Sequence, residues 1–187
     1  ENGRFFLGRN PTIQLSPAVT PEEVIPNMRQ VISSPTVLIA DDNPDDCLIT
    51  MRAWEESQLN WNVRFVHDGR ELLDYLFRRG RFRKQIELPQ PHLILLDLNM
   101  PKKDGRQALL EIQANPLFQH IPIVVFTDST SANDAMVSEG YGAFDFFTKP
   151  PSFEEYVSLI TSLGKSLDPR KGVLSRGPTY VRAPIPA

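Results

Sequence analysis

Five short strand-like runs, each divided from the next by a stretch of helical periodicity, constrain this chain more than any other feature. The runs are Val37–Ala40, Val63–Val66, His92–Leu96 ending at Asp97, Ile121–Phe126 and Phe144–Phe147. Between and after them, helices are expected from about Pro44, then over Glu71–Arg79, Arg106–Ala114, Ala132–Glu139 and Phe153–Leu163. Their apolar sides read as Leu48, Met51 and Trp54; Leu72, Leu73, Leu76 and Phe77; Leu109, Leu110 and Ile112; and Phe153, Tyr156, Val157 and Ile160. Strand alternating with helix implies a parallel sheet, right-handed crossovers and helices on both faces. Five such units fit an α/β, doubly wound, flavodoxin-like fold with strand order 2-1-3-4-5.

Proline marks the limits of this unit. Nine of the 17 prolines lie outside Thr36–Asp168, and proline fixes φ and removes a backbone donor. Residues 1–35 are therefore read as an N-terminal extension, 36–167 as the folded domain and 168–187 as a solvated, mildly basic tail. One short helix is expected in the extension: Thr20 caps it, Pro21 opens it, Glu22 and Glu23 fill its first turn, and Val24, Met28 and Val31 form its apolar side. A net charge of -3 gives no electrostatic reason to expect DNA as a partner. The single cysteine, Cys47, cannot form an internal disulfide, which suits a reduced, cytoplasmic setting. No apolar stretch reaches the roughly 18 residues of a membrane span, and no leader pattern opens the chain. The basic cluster Arg79–Lys84 is read as a solvated loop.

In a parallel sheet every strand ends at the same edge, so the residues at the strand ends can meet. Strand one ends at Asp41 and Asp42, strand three at Asp97, strand four at Thr127, and strand five near Lys149. Taken singly, each has a plain structural role: Asp41 and Asp42 as helix caps, Asp97 as a turn acid, Thr127 as a cap, Lys149 as a surface lysine. Taken together they define chemistry. Three close carboxylates repel unless a cation intervenes, and Mg²⁺ is a hard ion that takes oxygen ligands. Asp97 is the candidate nucleophile, since a carboxylate can form an acyl phosphate. Lys149 would offset charge on the phosphoryl oxygens, and Thr127 would donate a hydrogen bond to one of them.

At these residues the chain resembles the receiver domain of two-component response regulators, over about Pro35 to Leu167. The likeness rests on Val37-Leu38-Ile39-Ala40-Asp41-Asp42-Asn43, the Asp97–Gly105 block, Val124-Val125-Phe126-Thr127 and Phe146-Phe147-Thr148-Lys149-Pro150. Asn43-Pro44, His67-Asp68-Gly69, the long insert from Arg79 to Pro91 and Pro101–Gly105 resemble the small cyanobacterial, phytochrome-associated members. The resemblance implies that Asp97 is the phosphoacceptor of a phosphorelay. Asp42, Asp97 and the Asn99 carbonyl would bind Mg²⁺, with Asp41 acting through water. Thr127 and Lys149 would contact the phosphoryl group, Phe146 would be the aromatic switch, and Lys149-Pro150 would be cis. It implies a non-enzymatic signalling protein, phosphorylated by a sensor histidine kinase of phytochrome type. Its output would be partner binding, phosphotransfer to another protein, or homodimer formation on the face of the fourth helix, fifth strand and fifth helix. Phe144, Phe147 and Tyr156 are candidates for that face, and also for the core.

One residue departs from the family. The position after Thr127 is usually small, and here it is Asp128. A side chain facing the phosphoryl pocket would repel incoming phosphate; one facing solvent or capping a helix would not. This keeps a receiver-like interaction module that never takes phosphate as an alternative. A phosphatase with an aspartyl nucleophile is a weaker one, because such enzymes need a second acid two residues on, where Asn99 stands.

Overall fold

A computed structural model describes residues 34–171. The five strands are β1 (Thr36–Ala40), β2 (Asn62–Val66), β3 (Leu93–Leu96), β4 (Ile123–Thr127) and β5 (Asp145–Thr148), all parallel, in the order β2-β1-β3-β4-β5. The helices are α1 (Pro44–Glu56), α2 (Gly69–Leu76), α3 (Gly105–Gln113), α4 (Ala132–Gly140) and α5 (Phe153–Ser166). This is the doubly wound order expected from the alternation. The short helix expected between Thr20 and Val31 lies outside the described residues.

The three central strands are buried at every position, which is why they read as continuous apolar runs. Their side chains alternate between two cores. Leu38, Ala40, Ile94, Leu96 and Val125 pack with Leu72 and Leu76 of α2 and Leu109 and Ile112 of α3. Val37, Ile39, Leu93, Leu95, Val124 and Phe126 pack with Ala53 and Trp54 of α1 and with Tyr156, Leu159, Ile160 and Leu163 of α5. The edge strands β2 and β5 are partly exposed, as edges are.

Several local expectations need correction. In α1, Leu48 and Met51 face solvent, and the buried side is Thr50, Ala53 and Trp54. Of the positions expected to be apolar-facing in α3 and α5, Leu110 and Phe153 are exposed. Helix α2 stops at Leu76 rather than Arg79, with Arg78 in the left-handed region at φ 53°. Helix α5 runs on to Ser166, and Leu167 is buried after it. The insert after α2 is not a wholly solvated loop. Phe82 and Leu88 are buried, the Tyr75 hydroxyl donates to the Pro89 carbonyl at 2.8 Å, and the Arg78 guanidinium donates to the Leu88 carbonyl at 2.7 Å. Its charges are used locally: Arg81 pairs with Glu71 at 2.7 Å, and Arg79 sits over the Phe77 ring at 4.5 Å. The Lys149-Pro150 bond is trans, and no peptide bond among the described residues is cis. The trans form is the intrinsically favoured one before proline.

Gly105 fixes where β3 delivers Asp97. Its N–H donates to the Leu98 carbonyl at 2.8 Å. A Cβ there would collide with the Asp97 carbonyl oxygen and lie 2.8 Å from Leu98 Cα. Both obstacles are backbone, so they cannot swing away. Gly105→Ala is expected to destabilise the protein by about 2 kcal/mol or more, through overpacking. Urea unfolding measures this; an unchanged midpoint would mean the approach is looser than described.

Candidate functional site

The site is organised around Lys149. Its backbone N–H donates to the Thr127 carbonyl at 2.8 Å, which anchors it just beyond β5 beside β4. Its side chain is 2% exposed, and its Nζ lies 2.7 Å from Asp46, 2.8 Å from Asp41, 3.3 Å from Asp97 and 4.0 Å from Asp128. A surface lysine it is not.

Asp41 follows β1 and is buried. Its Oδ1 accepts the Asn43 N–H at 2.9 Å while Oδ2 faces Lys149. Asn43, not Asp41 or Asp42, caps α1, accepting the Asp45 N–H at 3.0 Å. Both acids are thereby left available to the sheet edge. Asp97 follows β3, with its N–H still donating to the Ala40 carbonyl at 2.9 Å. Its Oδ1 accepts the Asn99 N–H at 3.2 Å. Oxygens of Asp41, Asp42 and Asp97 all lie within 4.8 Å of one another. Three carboxylates this close form a hard-oxygen donor set suited to Mg²⁺ or Mn²⁺.

Thr127 is fully buried at the end of β4, and its Oγ1 accepts a long 3.4 Å bond from the Ser129 N–H. Ser131, not Thr127, caps α4. Asn99 is exposed, and its side chain receives a 3.5 Å contact from Arg106. Arg106 ties this loop to the one after β4: it pairs with Asp104 at 2.9 Å and with Asp134 at 2.6 Å, and Asp134 accepts the Ser129 hydroxyl at 2.6 Å. Phe146 is half-buried on the α2–α3 side of the sheet; Phe144 and Phe147 are half-buried on the other side. Tyr156 is core, stacked edge-on against Phe126 with centroids 5.4 Å apart. It is therefore removed from the candidates for an exposed face.

Asp46 escapes the sequence reading. It follows Asp45 in the first turn of α1, where acids are ordinary because they complement the helix dipole. Only its position one turn past the sheet edge aims it at Lys149. Asp128 is 73% exposed, its Oδ2 lies 4.0 Å from Lys149 Nζ, and it does not cap α4.

The electrostatics follow from this packing. Burial pushes the Asp41 carboxyl above its usual range, and Lys149 only partly offsets it. Burial opposes the charge on Lys149, but its bonds to Asp41 and Asp46 outweigh that and hold the amine protonated far into the alkaline range.

The family model described as response regulator receiver domain matches residues 37–161. Response regulator Rcp1 of Synechocystis sp. is 30% identical over 127 residues, covering 68% of this chain and 84% of its own. The Mn²⁺-bound structure of Rcp1 superposes with a TM-score of 0.63 at 29% identity, over 70% of this chain and 92% of that one. Response regulator RPA3017, described in red light signalling of R. palustris, gives a TM-score of 0.67 at 32% identity, over 78% of this chain and 99% of that one. The phosphorylated cyanobacterial phytochrome response regulator RcpA gives 0.65 at 30% identity, over 71% and 92%.

A carboxyl whose folded pKa is raised contributes stability at pH below its unfolded value, and that stability is lost as pH rises through the folded value. For Asp41 the loss falls above 3.8. Asp134, held low chiefly by Arg106, acts below 3.8 with the opposite sign. The stability of Asp41→Asn relative to wild type, in chelator, is thus expected to move in the variant's favour from about pH 4 to pH 7. Urea unfolding across that range measures it; a constant difference would contradict the assigned cause.

Proposed function

Because this chain belongs to the response regulator receiver domain family, we propose that it takes a phosphoryl group onto Asp97 from a sensor histidine kinase of phytochrome type. The observation that carries this reading is one buried ammonium, Lys149, bridging Asp41 and Asp97 beside Asp42. In the transfer, an Asp97 carboxylate oxygen attacks phosphorus, the bond from phosphorus to the donor nitrogen breaks, and the donor imidazole leaves. Asp42, Asp97 and the Asn99 carbonyl would hold Mg²⁺, with Asp41 acting through water. The ion supplies charge neutralisation at the phosphoryl oxygens. Lys149 exchanges its Asp97 contact for a phosphoryl oxygen, and Thr127 donates its hydroxyl to another.

That hydroxyl is lightly held, since its one described bond is the 3.4 Å contact from Ser129. Movement of Thr127 toward Asp97 would release space beside Phe146, which is half-buried and can turn into it. The readout surface is then α4, β5 and α5, and Ser138 is the only buried residue of α4. Such a loosely packed helix suits a two-state surface. Output would be homodimerisation through this face, with Phe144 and Phe147 as contributors, or binding or phosphotransfer to a downstream protein. We take residues 36–167 as the receiver domain, flanked by the extension 1–35 and the tail 168–187. Its role is signalling rather than catalytic turnover, in the cytoplasm. No helix among the described residues is long and apolar enough to cross a membrane. The reading as a module that never takes phosphate draws on the exposed Asp128 within 4.0 Å of Lys149.

Prolonged incubation with Mg²⁺ and phosphoramidate is expected to add one acid-labile phosphoryl group, detected by intact mass and mapped to Asp97. Asp97→Asn should abolish it, and Lys149→Ala should slow it by about ten- to a hundred-fold through lost charge stabilisation. Absence of the adduct, even with a cognate kinase, would overturn the proposal. Steady release of phosphate from monoesters would favour a phosphatase instead.

A further inference from the structure

We infer that Asp128, with Asp46 behind Lys149, is an electrostatic gate that disfavours small dianionic phosphodonors at Asp97. The inference rests on the phosphoacceptor reading above and concerns which donors the site accepts.

Five carboxylates share this pocket with one ammonium: Asp41, Asp42, Asp97, Asp46 and Asp128 around Lys149. A divalent ion together with the lysine balances three of them. Two negative charges are left over, and the acids outside the candidate metal set are Asp46 and Asp128. They occupy different places. Asp46 is largely enclosed, with 16% of its side chain exposed, and lies 2.7 Å from Nζ. An ammonium has three N–H donors, and Asp41, Asp46 and Asp97 take all three directions. An incoming phosphoryl oxygen must therefore displace a carboxylate from Lys149 before that lysine can assist it.

Asp128 acts earlier. It follows Thr127 directly, its side chain is 73% exposed, and its Oδ2 still reaches within 4.0 Å of Nζ. A donor approaching Lys149 from solvent must pass within a few Å of a charge of its own sign. At that range repulsion is only partly screened, and it scales with the donor's charge. A protein donor that brings a lysine or arginine against Asp128 would not meet this barrier. A free donor carries no such cation.

Two small donors separate charge from bulk. Acetyl phosphate is a dianion near pH 7.5, and phosphoramidate there carries one net negative charge. In the first reaction an Asp97 oxygen bonds to phosphorus, the bond from phosphorus to the acetyl oxygen breaks, and acetate leaves. In the second the P–N bond breaks and ammonia leaves. Initial rates of adduct formation are to be read by intact mass at saturating Mg²⁺, for wild type, Asp128→Asn and Asp128→Glu. Asp128→Asn nearly conserves shape and removes the charge. It is expected to accelerate acetyl phosphate about three- to ten-fold at low salt and phosphoramidate by clearly less. Raising NaCl to about 0.5 M should shrink the gain. Asp128→Glu should remain as slow as wild type. Asp46→Ala should raise both rates, because it frees a Lys149 donor direction for either phosphoryl group.

Equal acceleration of both donors by Asp128→Asn would mean that bulk, not charge, closes the site, and would overturn the gate. Unchanged rates, or a fast Asp128→Glu, would overturn it as well. No adduct in any variant from either donor would overturn the phosphoacceptor reading, and the gate with it.

Discussion

The ammonium of Lys149 is the interaction on which the rest of the sheet edge depends. It draws together carboxylates that follow β1 and β3 and begin α1, while its own backbone is bonded to the end of β4. Without it, Asp41 and Asp97 would be like charges held at close range in a buried place. Removing one member of a buried charge cluster typically costs about 3–5 kcal/mol, because the remaining charges lose compensation without regaining water. The cluster is not there because it is the most stable filling of that space. Apolar residues of the same volume would serve stability at least as well. It persists at the one place in a doubly wound sheet where strand ends and helix starts converge, which is where ligand chemistry is built.

Packing around that edge is uneven. α2, α3 and α5 each bury an apolar stripe against the sheet. α4 buries Ser138 alone and leaves Met136 exposed. What holds the start of α4 is polar: Arg106 to Asp134, and Asp134 to the Ser129 hydroxyl. Such a bridge is partly solvated and gives little stability compared with an apolar face. It does give a fixed geometry, because Arg106 also pairs with Asp104, which caps α3. The loop after β3 and the loop after β4 are thus linked. Elements held by few apolar contacts lie at the low-stability end of a fold, and those are the ones able to change arrangement without unfolding the rest.

The strand order and the meeting of Asp41, Asp42, Asp97 and Lys149 were legible because buried parallel strands leave an unmistakable apolar run, and topology does the rest. Thr127 was legible as a residue at the same edge. Three things were not. The buried side of α1 joins Thr50 and Ala53 to the expected Trp54, since small residues let a helix sit close to its neighbour, while Leu48 and Met51 point outward. A hydropathy reading favours the larger side chains, so it finds Trp54 but passes over Thr50 and Ala53. Phe82 and Leu88 anchor an insert whose basic surroundings read as solvated. Asp46 carries the common signature of a first-turn acid, and its contact with Lys149, 103 residues away in sequence, is tertiary information.

That contact alters how the energy of phosphorylation would be spent. In the resting arrangement Lys149 is already fully engaged by carboxylates. A phosphoryl group on Asp97 would offer it another anionic oxygen in nearly the same place, so the lysine would exchange one charged partner for another at little net gain. Thr127 starts from the opposite condition: it is fully buried, and its one described bond, 3.4 Å from the Ser129 N–H, is weak. A strong charge-assisted acceptor changes the position of such a hydroxyl far more than that of a saturated ammonium. Under the proposed phosphorylation, the differential contact, which is what can shift an equilibrium between two arrangements, would therefore reside in Thr127. Lys149 holds the resting site together, and Thr127 is the group with something to gain by moving.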